Sequence, residues 1–400
     1  VVDSSKNPPL RRILFCTLSA AAFLLLVIAP ALAQGTAQAP KAIAKTTEIP
    51  FKSHDGYDML GKLTVPDSPG KHPIVIYMQT AEGMTIDVKR TNPRGGTFNY
   101  FDLYREKLPP MNVAFFSYEG RGIRLGDDPP RYEKIDWNIY NTSTLENKVR
   151  DALTAIQVVS RQPGIDPSRV FLIGASEGTL IASETASRAR KEVAGLILYG
   201  VMSGTMRDTF KYILTGGAYL PYRESFDTDK DGKISKAEFE ADPHKFRQRA
   251  LRNASFETFD VNKDGFITED DIKAPGKPLL DALETDNYAL LNLWAKRSAG
   301  VSTPENWFKN HFEHPPIWTF LSQLDIPIGF FQGVVDPFVP VEGVRRMEAE
   351  AKKAGKTKWE FHYFDDLEHS LGIAAYFTRG VIPEGHKAIF DFIAARTADK

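Results

Sequence analysis

Three residues far apart in the chain form the set that nucleophilic acyl transfer needs: Ser176 in GASEG (174–178), Asp336 in GVVDPFVP (333–340) and His369 in DDLEHSLG (365–372). A serine hydroxyl at its ordinary pKa is a poor nucleophile and requires a base that a third group orients. Ser176 follows the apolar run RVFLIGA (169–175), and Gly178 opens the helical pattern GTLIASETASRAR (178–190). That is the strand–turn–helix context of a nucleophile elbow. Gly174 and Gly178 suit so sharp a turn because a side chain at either would meet neighbouring backbone. The amide of Glu177 would then face a developing oxyanion. Asp336 and His369 follow the runs IPIGFFQG (326–333) and KWEFHYFDD (358–366), just beyond strand ends, where an open α/β sheet places its ligand site. The order serine, acid, histidine is also the one this elbow predicts. The plainer readings are a structural turn at GASEG, a turn or cap at Asp336 and a surface loop residue at His369. Asp365, Asp366 and Glu368 compete as orienting carboxylates, but they sit too near His369 in sequence to fit the order as well.

A second chemistry is written in DTDKDGKISKAE (227–238) and DVNKDGFITEDD (260–271). In the first, oxygen ligands recur at Asp227, Asp229, Asp231, Ser235 and Glu238, with the carbonyl of Lys233 between them and Gly232 at the sharp turn. Calcium takes such a ring of hard oxygens, closed by a bidentate glutamate. The second repeats it with Asp260, Asn262, Asp264, the carbonyl of Phe266, Thr268 and a closing Asp271. Aspartate is one methylene shorter than glutamate, which predicts weaker calcium binding there. The pattern resembles an EF-hand pair, and the resemblance implies a two-loop module at 219–275 with Ile234 and Ile267 paired across a short bridge. Calcium is the only cofactor expected, as a structural clamp in preference to a switch, because the module lacks the methionines of sensor grooves.

The elements that must position these residues follow from periodicity. IPFKSHDGYDMLGKLTVP (49–66) reads as two strands about Asp55-Gly56. HPIVIYMQT (72–80), NVAFFSYEG (112–120), 169–175, VAGLILYGV (193–201), 326–333 and 358–366 are dense apolar runs of the kind buried parallel strands show. Helical stretches separate them: a crossover at 98–108, then 143–160 with Leu145, Val149, Ala152, Ile156 and Val159 on one stripe, 178–190, 344–354 and 384–396. The fold class is therefore α/β, a mostly parallel sheet between helices. Residues 205–322 break the rhythm and read as an inserted cap that contains the calcium loops. Within it, WFKNHFEHPPIWTF (307–320) offers Trp307, Phe308, His311 and Phe312 on one face, either packed on the body or lining an acyl pocket. His311 and His314 complete no metal set.

Composition narrows the partners. Fifty basic and 51 acidic residues give a net charge of -1, which argues against a nucleic-acid footprint. Residues 1–33 read as a secretory signal, with Arg11 and Arg12 before an apolar run and an Ala31-Leu32-Ala33 cleavage pattern. A flexible linker follows at 34–47. Export to the periplasm or exterior is expected, with no stable membrane insertion once the signal is removed. Cys16, the only cysteine, lies in that signal, so the mature chain would have no thiol chemistry.

The opening HDGYDMLGKLTVP (54–66), GASEG, GVVD, EHS and YEGRGIRLGDD (118–128) together resemble the alpha/beta-hydrolase superfamily, among the serine hydrolases related to dienelactone hydrolase, prolyl oligopeptidase and serine aminopeptidases. The resemblance covers a core in two parts, 48–204 and 323–400. It implies an alpha/beta-hydrolase fold and a Ser176–Asp336–His369 triad. It also implies a second oxyanion amide from QTAEG (79–83), with Thr80 preferred and Gln79 and Ala81 as rivals. The loop at 121–124 departs from the family's Arg-Gly-x-Gly by carrying Arg124 in place of the second glycine. The implied activity is hydrolysis of a small-molecule ester, with a short-peptide hydrolase next and a non-catalytic calcium-dependent binding protein as the rival of another class. The oligomeric state is not legible.

Overall fold

The computed structural model describes residues 44–81, 83–91, 96–124, 135–298 and 306–398. The expected signal at 1–33 and most of the expected linker lie outside them. Eight strands form one sheet: β1 (Ala44–Lys52), β2 (Asp58–Pro66), β3 (His72–Tyr77), β4 (Ala114–Tyr118), β5 (Ile165–Ala175), β6 (Val193–Tyr199), β7 (Ile328–Gly333) and β8 (Trp359–Phe364). Their order is β1-β2-β4-β3-β5-β6-β7-β8. β1 and β2 are a hairpin, β2 runs antiparallel to β4, and every later pairing is parallel. This is an alpha/beta-hydrolase-like fold with a distinct helical insertion that contains the EF-hand loops.

Two of the differences from the sequence reading bear on the sheet edge and the first crossover. β1 begins at Ala44, inside the stretch expected to be a linker, because Ala44–Lys52 completes a full ladder with β2. The crossover expected as one helix at 98–108 is helical only over Asp102–Lys107, since Thr97–Asn99 pairs instead with Lys89–Thr91.

Strand alternation divides the core into two layers. Ile74, Ile76, Leu172, Leu196, Leu198 and Phe330 face one side, where α1 (Leu145–Val159) and α2 (Gly178–Arg188) pack. Val75, Tyr77, Phe171, Ile173, Ile197 and Phe331 face the other, against the helix at Asp102–Lys107 and the C-terminal helix at Glu384–Thr397. α1 starts on Thr144, whose hydroxyl accepts from the Asn147 amide, and it buries the expected stripe. Two charged residues, Lys148 and Asp151, are buried on the same helix.

The insertion has two parts. Tyr222, Phe226, Ile234, Phe239, Phe256, Phe259 and Ile267 form a separate small core around the loops. The later part joins the main core through Leu279, Leu283, Leu291, Trp307, Phe308 and Ile317. Of the two readings of 307–320, packing on the body is therefore the one these contacts support.

Candidate active site

β5 ends at Ala175 and α2 begins at Gly178, leaving Ser176 and Glu177 to reverse the chain. Ser176 has φ of +54°, a left-handed conformation that a non-glycine residue takes only where its surroundings impose it. Its amide donates to the Tyr199 carbonyl of β6 at 3.0 Å. Close approach requires the glycine at 174 and makes position 178 tight for any side chain. A Cβ at position 174 would lie 2.4 Å from the Gly178 carbonyl oxygen, and one at 178 would lie 3.1 Å from the Gln79 carbonyl oxygen.

Asp336 and His369 are brought together from the loops after β7 and β8. His369 Nδ1 lies 2.7 Å from Asp336 Oδ2, with Asp336 fully buried and His369 partly exposed. The amides of Phe338 and Val339 donate to Oδ1 at 2.8 and 3.0 Å, and Gln332 Nε2 donates to Oδ2 at 2.9 Å. Gln332 is held in turn by the Val201 amide, 2.9 Å from its Oε1. Nothing in the apolar run of β7 marked Gln332 as part of the site, although a buried glutamine in such a strand always needs partners. The imidazole lies on the Tyr199–Gly200 turn beside Ser176: a Cβ at Gly200 would meet His369 Cε1 at 2.7 Å. Asp365 and Asp366 are exposed. Glu368 is occupied within its own loop, accepting from Ser370 Oγ at 2.7 Å and the Gly372 amide at 2.9 Å.

The loop after β3 holds Gln79, Thr80 and Ala81. The Gln79 side chain is buried and donates to the Tyr118 carbonyl, while its Oε1 accepts from the Met84 amide at 3.1 Å. The Thr80 carbonyl accepts from Lys148 Nζ at 3.1 Å. Glu177, named from sequence for its amide alone, has a fully buried side chain paired with the same Lys148 at 2.9 Å. Burial works against its charge, but the Lys148 ammonium and His311 more than offset it and hold the carboxyl at about 2.

The departure at 121–124 has a physical account. Arg121 is buried between Asp151 and Asp55, each at 2.7 Å, and so fastens the β1–β2 hairpin to α1. Gly122 has φ of +71°, and a Cβ there would lie 2.6 Å from the Tyr140 amide nitrogen. Arg124, in the second glycine's place, reaches Glu119 at 3.3 Å and the Asp58 carbonyl at 3.0 Å.

The two loops of the insertion are near copies. Lys230 and Lys263 have φ of 62° and 61°, Gly232 and Gly265 of 87° and 90°, and Ile234 pairs with Ile267. Carboxylate oxygens of Asp227, Asp229 and Asp231 lie within 4.8 Å of one another. Ser235 and Glu238 close the first loop as a capping box, and Glu238 Oε1 reaches back to the Thr228 amide at 2.9 Å. Asp271 does the same in the second loop. Its Oδ1 accepts from the Val261 and Asn262 amides at 3.0 and 3.1 Å, and its Oδ2 from the Thr268 amide at 2.9 Å. Asp260 accepts from the Asp264 and Gly265 amides, both at 3.1 Å. The Asp227, Asp229 and Asp231 carboxylates are hard oxygens of the kind calcium takes, and the second loop repeats the residue types with Asp260, Asn262, Asp264 and Thr268.

The insertion also touches the acid loop. Tyr212 Oη donates to the Asp336 carbonyl at 3.0 Å, and a Cβ at Gly217 would lie 2.2 Å from the Pro337 carbonyl oxygen. Neither Tyr212 nor Gly217 belongs to a sequence motif that marks it.

The EF-hand family model matches residues 224–241 and 253–274. Ethylmalonyl-CoA decarboxylase of Gallus gallus is 34% identical over 77 residues, which is 19% of this chain and 26% of that protein. The chain thus spans about a quarter of that relative. Among solved structures, one described as a dipeptidyl aminopeptidase IV from Bacteroides ovatus has a TM-score of 0.48 at 11% identity, covering 89% of this chain and 36% of that one. Acylaminoacyl peptidase of Pyrococcus horikoshii has a TM-score of 0.47 at 14% identity, covering 88% and 42%. Esterase Est22 has a TM-score of 0.47 at 15% identity, covering 89% and 82%. The EF-hand match covers the two loops of the insertion and their flanks alone.

Proposed function

We propose that this chain is a serine hydrolase of carboxylic esters that works through an acyl-enzyme on Ser176. The observation that carries the reading is the Asp336–His369 pair at 2.7 Å, on the edge of the sheet where Ser176 is held in a left-handed turn. Ser176 Oγ attacks the carbonyl carbon while His369 Nε2 takes its proton. Asp336 accepts from Nδ1–H and so fixes the tautomer in which Nε2 carries no proton and can accept one. The oxygen that gains charge is met by the Glu177 amide and one from the Gln79–Ala81 segment, with Thr80 as the donor read from sequence. The alcohol leaves with the proton from His369. Water, deprotonated by His369, then attacks the acyl carbon, and the acid departs as Ser176 recovers its proton.

In the same reading the two loops hold calcium through Asp227, Asp229, Asp231, the Lys233 carbonyl, Ser235 and Glu238, and through Asp260, Asn262, Asp264, the Phe266 carbonyl, Thr268 and Asp271. The ion would neutralise the clustered carboxylates and stiffen the module. The substrate is a small ester, and the protein acts in the periplasm or outside the cell, as the sequence of residues 1–33 suggests. No helix among the described residues is long and apolar enough to cross a membrane.

A fluorophosphonate should label the purified protein at Ser176, and Ser176→Ala should abolish labelling and lower ester turnover by about 10³-fold or more. Matched ester and peptide substrates then separate esterase from peptidase. A folded protein that takes no label and turns over no ester refutes the hydrolase reading and leaves a calcium-dependent binding protein, whereas turnover kept without Ser176 refutes Ser176 as the nucleophile.

A further inference from the structure

The insertion sends one histidine into the interior beside the nucleophile, and the chemistry above leaves it unused. His311 lies on α3 (Trp307–Phe312) and is fully buried. Its Nε2 is 2.5 Å from Glu177 Oε1 and its Nδ1 is 2.7 Å from the Trp307 carbonyl. Glu177 in turn takes two contacts from Lys148 Nζ, at 2.9 and 3.1 Å, while the same ammonium donates to the Thr80 carbonyl at 3.1 Å. Three oxygens of two residues therefore use the three hydrogens of one ammonium. They join α1, the turn after β5, the loop after β3 and, through His311, the inserted cap.

This arrangement has two consequences for an oxyanion. A buried carboxylate one residue from Ser176 would repel charge developing on a substrate oxygen, and Lys148 offsets it. The second is geometric. In a trans peptide the N–H points opposite to the carbonyl. Drawing the Thr80 oxygen to Lys148 therefore turns the Ala81 N–H to the other side of the loop. His311 supports Glu177 from the insertion, so the clamp is complete only when α3 is docked. A second pair ties the same stretch to α2, with His314 Nε2 2.8 Å from Glu184 Oε2.

We propose that Lys148 and His311 are positioning residues of the oxyanion site. Lys148 fixes the Thr80–Ala81 peptide so that the Ala81 amide is the second oxyanion donor, and His311 makes that geometry depend on the docked insertion. The proposal rests on the hydrolase reading, and it departs from Thr80 as the donor.

The test compares Lys148→Met/Glu177→Gln, which removes both charges together, with His311→Gln. Hydrolysis of p-nitrophenyl acetate, phosphonylation by a fluorophosphonate and thermal unfolding are measured on each. The double variant should lose about 10²-fold in kcat with KM within about twofold, the size of effect expected from misplacing a catalytic donor. Phosphonylation should slow in parallel, because the phosphonyl oxygen uses the same amides. His311→Gln should lose about 10-fold in kcat, again with little change in KM. Wild-type kcat in folded variants, or a loss confined to KM, overturns the proposal. If the double variant fails to fold, His311→Gln decides alone, and wild-type kcat there is the refuting result. Failure of the unsubstituted protein to react with the fluorophosphonate would instead overturn the hydrolase reading itself.

Discussion

Asp336→Asn exchanges a single oxygen for an NH2 group, and the contacts around that carboxylate set the outcome. Oδ1 faces two main-chain amides, at 2.8 and 3.0 Å, and Oδ2 faces Gln332 Nε2 at 2.9 Å and His369 Nδ1 at 2.7 Å. Turned toward the amides, the new NH2 leaves two buried donors without acceptors, at about 1–3 kcal/mol each. Turned the other way, it opposes Gln332 and His369. Gln332 cannot invert, because its Oε1 already accepts from the Val201 amide. His369 can adapt by moving its proton from Nδ1 to Nε2, so this orientation prevails. The ring then presents N–H to Ser176 and cannot take its proton. A loss of about 10⁴-fold in kcat is expected, the size a wrong tautomer has when geometry is kept. That is about 5.4 kcal/mol in the barrier. Ester turnover, measured beside circular dichroism and thermal unfolding, checks it. Activity within tenfold of wild type in a folded Asp336→Asn protein would refute the assignment and return Asp365, Asp366 or Glu368 as the orienting group.

Chelation should lower the melting temperature of the insertion, since a ligand at 100 times its Kd stabilises the folded state by about 2.7 kcal/mol; calorimetry with and without chelator tests this, with Glu238→Gln expected to reproduce most of the loss. Asp271→Ala should destabilise even in chelator, by about 1–3 kcal/mol, because this buried carboxylate accepts from the Val261, Asn262 and Thr268 amides; equal melting of the variant and wild type in chelator would count against it. Burial holds His386 at about 4, below the ordinary 6.5, so the folded protein binds fewer protons than the unfolded chain. Its contribution is complete above pH 6.5 and lost as pH falls toward 4, by about 3 kcal/mol; His386→Phe should flatten the urea midpoint across that range, and an unchanged slope would refute the reasoning.

The parts legible in sequence were those fixed by local geometry. Strand runs followed by turn residues located Ser176, Asp336 and His369, because a strand end is a chain-local event. The calcium loops were legible because all their oxygens lie within twelve consecutive residues. Lys148, Tyr212 and His311 were not, since each acts through a partner distant in sequence, and Gln332 was not because it stands within an apolar strand run and its Oε1 is held by the distant Val201 amide. Lys148 interrupts an apolar stripe on α1, and a stripe does not say whether the lysine points to water or across to Glu177. His311 was read as one residue of an aromatic helix face that completes no metal set, and its partners are a carboxylate and a carbonyl. The early start of β1 was missed because Ala44–Thr47 looks polar; its ladder with β2 supplies the reason for it to be extended.

The placement of a calcium module in such a chain follows from where its first helix is held. That helix, Gly216–Phe226, has Gly217 against the Pro337 carbonyl at one end and enters the first loop at Asp227 at the other. Eleven residues of helix span about 16 Å, so loop and acid turn sit at the two ends of one helix, with Pro221 between them. The contact at Gly217 is too close for any side chain, which leaves little freedom for a second packing of the helix on the acid loop. A switch needs two such packings separated by a few kcal/mol, and a clamp needs only one. Activity should therefore decline in step with unfolding of the insertion across a calcium titration. A steep change of activity at constant melting temperature would mean that the Gly217–Pro337 contact has a second arrangement after all.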